Sequence, residues 1–105
     1  MNTTAQTIDL GKIEKIPLGQ GRCYVIDGAE IAVFRQRDGR LFAVDNRCPH
    51  RQGPLSEGVM GAGKVICPSH AHRFDLCSGA GSEPGECVKV YKVAVCNGNV
   101  VLQLN

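Results

Sequence analysis

The chain has 105 residues, enough for one domain with a modest core, and 43% of them are hydrophobic and 21% charged. This balance excludes a disordered chain, and a formal net charge of +2 is too small to indicate a nucleic-acid or anionic membrane partner. No apolar run approaches the ~18 residues of a membrane span, and the N-terminus lacks the features of a secretion signal, so we expect a cytoplasmic protein.

The first half of the chain predicts a meander of three short strands. These strands are expected at Cys23–Ile26, Ile31–Phe34 and Leu41–Val44, where apolar residues, many of them β-branched or aromatic, occur in runs too short for helices. Asp27-Gly28 and Asp38-Gly39 lie between them and are turn signals.

The last fifth of the chain predicts a further hairpin. Val88–Val95 alternates in hydropathy, Asn97-Gly98 is a turn signal, and Val100–Leu104 forms the returning strand. Because no segment of the chain shows a helical period of apolar residues, the predicted fold class is all-β.

Between these two strand-rich regions, residues 47–86 contain only two short predicted strands, Lys64–Ile66 and Arg73–Leu76. So long a stretch with little regular structure is unusual in a compact domain unless it is functional. A bound metal centre would supply the order that a hydrophobic core does not supply there. The alternative is a long flexible surface loop.

Two boxes in this stretch carry metal-ligand residues. The first is Cys48-Pro49-His50, the second is Cys67-Pro68-Ser69-His70, and sixteen residues separate them. Two thiolates and two imidazoles suit either a tetrahedral zinc ion or an iron–sulfur cluster. A single residue between the ligands of a pair is tight for zinc, and two thiolates on one iron with two imidazoles on the other describe a Rieske [2Fe–2S] centre.

The boxes and the residues that follow them resemble the two cluster loops of Rieske ferredoxins. This resemblance is most specific over residues 48–58 and 65–76. Within that family, the chain more narrowly resembles the Rieske-like small subunit of NAD(P)H-dependent nitrite reductase. It implies a Rieske-type antiparallel β-sandwich or barrel with a cluster-binding subdomain of two loops. The whole chain, 1–105, would form this single domain, with the cluster-binding loops at about residues 47–86.

The resemblance also implies a role for each residue of the boxes. Cys48 and Cys67 would bind the buried iron, and His50 and His70 would bind the outer iron near solvent. Gly79–Pro84 would form a third loop that covers the cluster.

The chain departs from the high-potential Rieske proteins of respiratory chains at four positions. Gly53 and Ser69 stand where those proteins have the cysteines of a disulfide between the loops. His72 and Phe74 stand where they have a serine and a tyrosine whose hydroxyls donate hydrogen bonds to sulfur. Since such bonds raise the potential and Phe74 has no donor, we expect a midpoint in the lower part of the ~−150 to +300 mV Rieske range.

These features predict a one-electron carrier. We expect no independent catalysis, because the sequence shows no catalytic triad, phosphate-binding glycine motif or substrate domain. Its redox partners would be a flavin-containing reductase and an acceptor oxidoreductase, most simply in an NAD(P)H nitrite reductase-like system. One alternative is the ferredoxin component of an aromatic-ring dioxygenase, and another is a structural zinc-binding module. A Rieske oxygenase with its own mononuclear iron would need a further domain.

The remaining cysteines and the third histidine have less specific interpretations. Cys23, Cys77, Cys87 and Cys96 are expected to be small buried hydrophobes, although Cys77 and Cys87 could pair on oxidation. His72 would either contact the cluster edge or be a partly exposed loop residue.

Three arginines adjoin the boxes: Arg47, Arg51 and Arg73. They form either a solvated basic rim or a docking face for an acidic patch on an electron-transfer partner.

Overall fold

The structure, a computed structural model, describes residues 6–47, 54–67, 73–82 and 86–104. Nine strands lie within these ranges. They are β1 (Gln6–Lys12), β2 (Gln20–Ile26), β3 (Ala29–Arg35), β4 (Leu41–Asp45), β5 (Val59–Gly61), β6 (Lys64–Ile66), β7 (Arg73–Asp75), β8 (Val90–Cys96) and β9 (Asn99–Leu104). Two short 3₁₀ turns, Ile13–Lys15 and Leu55–Glu57, are the helical elements of the described residues. Neither these turns nor any other described segment is a helix of the length and apolar character that crossing a membrane demands.

Six of these strands form a curled antiparallel sheet in the order β1-β9-β8-β4-β3-β2. Two predicted turns close its two-residue hairpins, and their residues all have positive φ: Asp27 (50°), Gly28 (81°), Asn97 (52°) and Gly98 (80°). Such turns match the right-handed twist of the flanking strands. The predicted all-β fold class is confirmed.

The strand β3 lies between two hydrophobic cores. Ile31 and Val33 face one core and Ala32 and Phe34 face the other, and all four side chains are fully buried. A strand that is buried on both faces carries a continuous apolar run instead of an alternating one, which is the pattern of this segment.

We call the first of these cores the sheet core, because the large sheet surrounds it. Its buried members are aliphatic: Ile16, Ile31, Val33, Ala43, Val100 and Leu102.

We call the second the loop core, because six of its nine buried members come from the segment between β4 and β8. Its buried members are Ala32, Phe34, Val44, Leu55, Val65, Cys67, Phe74, Leu76 and Val88.

The strands β5, β6 and β7 form a small antiparallel sheet that packs over the loop core. Its β5–β6 turn, Ala62-Gly63, is tied to the end of β3, because the buried Gln36 side chain accepts a hydrogen bond from the Gly63 N–H through Oε1. The Gly63 carbonyl in turn accepts from the Leu76 N–H at 2.8 Å. These bonds fix the small sheet against the large one.

Candidate metal centre

The structure describes one of the four predicted ligands. Cys67 follows β6 directly, whereas Cys48, His50, His70 and the third histidine, His72, lie outside the described residues. Among the residues that are described, no three histidine, cysteine or acidic side chains come together as a metal site would require. The site is therefore characterised by the environment of Cys67 and by the residues on either side of the segments that contain the other proposed ligands.

Cys67 is 2% exposed and belongs to the loop core. The alternation of β6 continues into it: Val65 is buried, Ile66 is half-buried and Cys67 is buried again. A thiolate in an apolar environment, shielded from water, is a fitting ligand for an iron–sulfur cluster, whose properties depend on burial and on the hydrogen bonds to sulfur.

Three internal segments lie outside the described residues, and we call them segment A (48–53), segment B (68–72) and segment C (83–85). The residues on either side of segment A pair with each other through an antiparallel bridge between Arg47 and Pro54. Beyond the bridge, the Leu55 N–H donates to the Asn46 carbonyl at 2.6 Å, and the Ser56 N–H donates to Asn46 Oδ1 at 2.8 Å. Both ends of segment A are thereby fixed at the end of β4.

Arg73, the residue that follows segment B, pairs both with the strand that precedes segment B and with the residue that precedes segment C. Ile66 and Arg73 pair across β6 and β7, with Cys67 and segment B between them. The Ser82 N–H donates to the Arg73 carbonyl at 2.8 Å, and the Arg73 N–H donates to Ser82 Oγ at 3.2 Å. The Gly81 N–H donates to the Glu86 carbonyl at 2.8 Å, which pairs the two sides of segment C.

The flanks of segments A and B also meet. Gly58, which follows the 3₁₀ turn after segment A, lies so close to the Ile66 carbonyl that a Cβ at this position would overlap the oxygen. Leu55 and Cys67 pack in the same loop core. All three segments therefore begin and end around one buried core that contains Cys67, and the thiolate and imidazole donors that they carry fit a [2Fe–2S] cluster.

A polar network links the end of β4 to β2 and β3. Asn46 is 2% exposed, and its Nδ2 donates to Glu30 Oε1 at 3.3 Å and to Cys23 Sγ at 3.4 Å. Arg47 Nη2 contacts Glu30 Oε2 at 3.0 Å. The hydrogen bonds from Asn46 and Arg47 hold the pKa of Glu30 below its ordinary value, and burial, followed by the charge of Glu30, raises the pKa of the Cys23 thiol.

Phe74 is the residue that the resemblance aligns with a tyrosine of the high-potential Rieske proteins. It is fully buried in the loop core together with Cys67. A Cβ at Gly81 would lie 2.9 Å from Phe74 Cε1, so the absence of a side chain at Gly81 gives the ring its space. The phenyl ring offers no hydrogen-bond donor, and the low potential expected from this stays a prediction.

The expectation that the other four cysteines are buried is wrong for three of them. Cys77, Cys87 and Cys96 are exposed, and Cys23 is half-buried. Cys77 lies in the turn that follows β7, and Cys96 is the last residue of β8, beside the exposed hairpin turn. The five cysteines that the structure describes are all free thiols.

Sequence reasoning did not identify Asn46 and Ser82 as residues that hold the site. Asn46 bonds to residues far away in the chain, and only its place as a polar residue at the end of an apolar strand, two positions before Cys48, could have indicated a role. Of the predicted arginines, Arg47 and Arg73 are exposed, and Arg51 lies outside the described residues.

Comparison with protein families gives a match over nearly the whole chain. Residues 6–103 match the profile of the family described as "Rieske-like [2Fe-2S] domain". The chain is 31% identical, over 96% of its length and 98% of the relative's, to the ferredoxin component of the naphthalene 1,2-dioxygenase/salicylate 5-hydroxylase systems of a Ralstonia species. It also matches a much longer protein, the 4beta-methylsterol monooxygenase of Methylococcus capsulatus, of which it spans 15%.

Solved structures with the same fold include chains of similar length. The Escherichia coli protein NirD is 30% identical, with a TM-score of 0.85, over 95% of this chain and 97% of that one. A structure described as an NADH-dependent nitrite reductase small subunit from Mycobacterium tuberculosis aligns with a TM-score of 0.91 over 98% of both chains, at 24% identity. The latter likeness shows the shared fold.

Proposed function

The chain belongs to the Rieske-like [2Fe-2S] domain family, and on this premise we propose that Cys48, His50, Cys67 and His70 hold its cluster. The two thiolates would bind one iron and the two imidazoles the other, as in Rieske centres. The observation that carries this proposal is that the described residues on either side of the three segments meet around one buried core. Cys67 is part of this core, and segments A and B carry the other three donors.

When bound, the cluster supplies one-electron chemistry, which makes the protein an electron carrier. The residues of this chain set the conditions for it. The loop core excludes water from Cys67, and the buried phenyl ring of Phe74 offers no donor to sulfur. Asn46 joins the two flanks of segment A, and Ser82 joins the flank of segment C to Arg73, which directly follows segment B. We propose no independent turnover for this chain.

The ligand assignment is tested by iron and acid-labile sulfide analysis together with EPR of the dithionite-reduced protein. We expect two irons and two sulfides per chain and a Rieske-type signal. His70→Ala should abolish the signal, whereas His72→Ala, two residues away, should retain it. Zinc without sulfide in the wild-type protein, or a retained Rieske signal in His70→Ala, would overturn the assignment.

The potential is tested by redox titration of the wild type and of Phe74→Tyr. We expect the wild-type midpoint below about +150 mV, in the lower part of the Rieske range. A hydroxyl on this buried ring should raise the midpoint by ~40 mV, since a donor to sulfur that favours the reduced state by about 1 kcal/mol corresponds to this shift for one electron. An unchanged or lowered midpoint in Phe74→Tyr would contradict this role of the ring.

Two partner systems remain for the electron carrier, and each has a specific observation in its favour. The resemblance of the boxes to nitrite reductase small subunits, with the similarity to NirD, supports a partner with NAD(P)H-dependent nitrite reductase activity. The similarity to the ferredoxin component of a naphthalene dioxygenase system supports a reductase and an oxygenase as partners. The free thiols among the described cysteines support a reducing compartment, and we propose the cytoplasm.

Reconstitution separates these systems. The protein is added to the large subunit of an NAD(P)H nitrite reductase that lacks its small subunit and, separately, to the reductase and oxygenase of a naphthalene dioxygenase system. NAD(P)H consumption coupled to nitrite loss would identify the first, and naphthalene oxidation the second. Absence of turnover in both would overturn the assignment of these partners.

A further inference from the structure

The small sheet turns one face to the loop core and the other to solvent. Across its three strands, Val59 pairs with Ile66 and Ile66 pairs with Arg73. Directly opposed residues of an antiparallel sheet share a face, so these three side chains form one row on the outer face. Their neighbours in the chain, among them the buried Val65 and Phe74, face the core.

The outer face bears an apolar surface at its centre. Val59 is 72% exposed, the most exposed of the large hydrophobic residues that the structure describes, and its partner Ile66 is half-buried. Val25 on β2 is almost as exposed, at 70%, but its cross-strand partner is the charged Glu30. Two apolar side chains therefore adjoin at Val59, whereas Val25 is isolated.

The same face carries two exposed cations. Lys64 and Arg73 flank the apolar pair and, with Val59, Met60, Gly61 and Ile66, line a shallow depression of about 260 Å³. The carboxylate on this face, Asp75, accepts hydrogen bonds from the Cys77 and Ser78 N–H groups at 2.8 and 3.0 Å. Asp75 stays ionised, because these bonds and the charge of Lys64 lower its pKa. Lys64 and Arg73 outnumber this carboxylate, so the net charge that the face offers to a partner is positive.

The position of this surface connects it with the proposed ligand loops. Ile66 directly precedes Cys67, and Arg73 directly follows segment B, which contains His70. A partner seated on this face lies at the base of the loop that carries two of the four proposed ligands. Electron transfer needs such proximity, and apolar contact ringed by complementary charge is how transient interfaces combine residence with fast encounter.

We propose that the outer face of the small sheet, formed by Val59, Lys64, Ile66 and Arg73, docks the redox partner of this protein. The matching surface on the partner presents an apolar side chain surrounded by carboxylates. This inference rests on the proposed electron-carrier function and adds to it the residues of the docking surface.

The test compares two substitutions on this face with two matched substitutions on the large sheet. Val59→Ser and Lys64→Glu are paired with Val25→Ser and Lys12→Glu, which make the same changes at exposed residues of β2 and β1. The readout is the apparent KM for this protein in whichever reconstitution described above supports turnover. Iron content and the EPR signal of each reduced variant are measured in parallel.

We expect Lys64→Glu to raise the apparent KM about fivefold at low salt and less than about twofold at ~0.5 M salt, since screening weakens steering. Val59→Ser should raise it about threefold at both salt concentrations, because an apolar contact is not screened. The control variants should stay within about twofold of the wild type, and all four should retain the EPR signal.

The outcomes distinguish this proposal from the one on which it rests. Turnover with Val59→Ser and Lys64→Glu indistinguishable from their controls would overturn the docking surface and leave the electron-carrier function intact. Equal KM increases in the control variants would also overturn it, because the effect would then not belong to this face. Absence of turnover with the wild type, despite a normal EPR signal, would overturn the partners assigned above and with them the surface.

Discussion

The sheet core and the loop core lie on opposite faces of β3, yet they are built in different ways. The sheet core is made of aliphatic side chains, five of them on the strands β3, β4 and β9. The loop core draws on three-residue strands and a 3₁₀ turn, and it contains the thiol of Cys67. Burial of apolar surface suffices to explain the first. In the second, a side chain with a proposed role as iron ligand is part of the packing, so we expect the order of that region to depend on the cofactor.

The largest expected effect separates these two regions directly. In Cys67→Ser, the proposed cluster loses a thiolate, and we expect iron to fall below about a tenth of the wild-type content. The far-UV circular dichroism should keep its β-sheet character, because the sheet core contains no ligand. Cys96→Ser, which changes an exposed thiol on β8, is the control and should retain its iron. Normal iron content in Cys67→Ser would contradict the ligand role.

The next prediction concerns the contact between the flanks of segments A and B. In Gly58→Ala, the added methyl group would overlap the Ile66 carbonyl, a backbone atom that cannot rotate away. We expect a loss of about 3 kcal/mol in the free energy of unfolding and a loss of iron. Gly61→Ala on the same small sheet meets no atom within 4 Å and should change the free energy of unfolding by less than about 1 kcal/mol. Urea unfolding measures the stability of both variants. Equal free energies of unfolding would contradict the predicted overlap at Gly58.

The contrast between the two regions also explains what the sequence could predict. The strands β2, β3, β4, β8 and β9 overlap the predicted ones, because their apolar runs are bounded by Asp-Gly or Asn-Gly turns. The strand β1 was not predicted. Between Asp9 and Gly11 its pairing with β9 shifts register in a bulge, and this breaks the apolar alternation.

The small sheet was predicted only in part, for reasons of turn chemistry. The strands β6 and β7 coincide with predicted segments, but β5 was missed. Its hairpin turns at Ala62-Gly63, where Ala62 has a φ of 52°, a conformation that alanine rarely adopts and that no turn signal announces. The proposed ligand boxes could be recognised in the sequence because each is defined by residue types that lie close together in the chain. The network around Asn46 could not be predicted, since its partners on β2 and β3 lie 23 and 16 residues away, respectively.

Asn46 provides a third and smaller test of the comparison, since it ties segment A to the large sheet. Asn46→Ala removes the acceptor of the Ser56 N–H and the donor to Glu30 and Cys23. Loss of buried hydrogen bonds should lower the free energy of unfolding by about 2 kcal/mol and shorten the lifetime of the cluster in air. Asn99→Ala removes an amide that bonds to Asp9 at 3.0 Å on an exposed edge, and it should cost less than about 1 kcal/mol. Equal unfolding free energies and cluster lifetimes in the two variants would contradict a positioning role for Asn46.

The smallest effect concerns the seam between β4 and β8, where the register contains two residue pairs, Ala43 with Tyr91 and Val44 with Val90. The Tyr91 hydroxyl donates to Asp45 Oδ1 at 2.7 Å across this seam. Burial, followed by this hydrogen bond, raises the pKa of Tyr91 to about 12. The folded protein therefore keeps a proton that the unfolded chain, with a tyrosine pKa of ~10, releases.

This proton difference fixes the sign of the pH dependence at the seam. Because the native state binds more protons between pH ~10 and ~12, the contribution of Tyr91 to the free energy of unfolding is complete below pH ~10 and declines above it. Tyr91→Phe has no such proton, so its stability should fall less steeply over this window. Burial also raises the pKa of Tyr24, but Tyr24 is present in both proteins, and the difference between the two curves isolates Tyr91. Parallel curves from urea unfolding followed by circular dichroism would show that the Tyr91–Asp45 hydrogen bond does not stabilise the seam between β4 and β8.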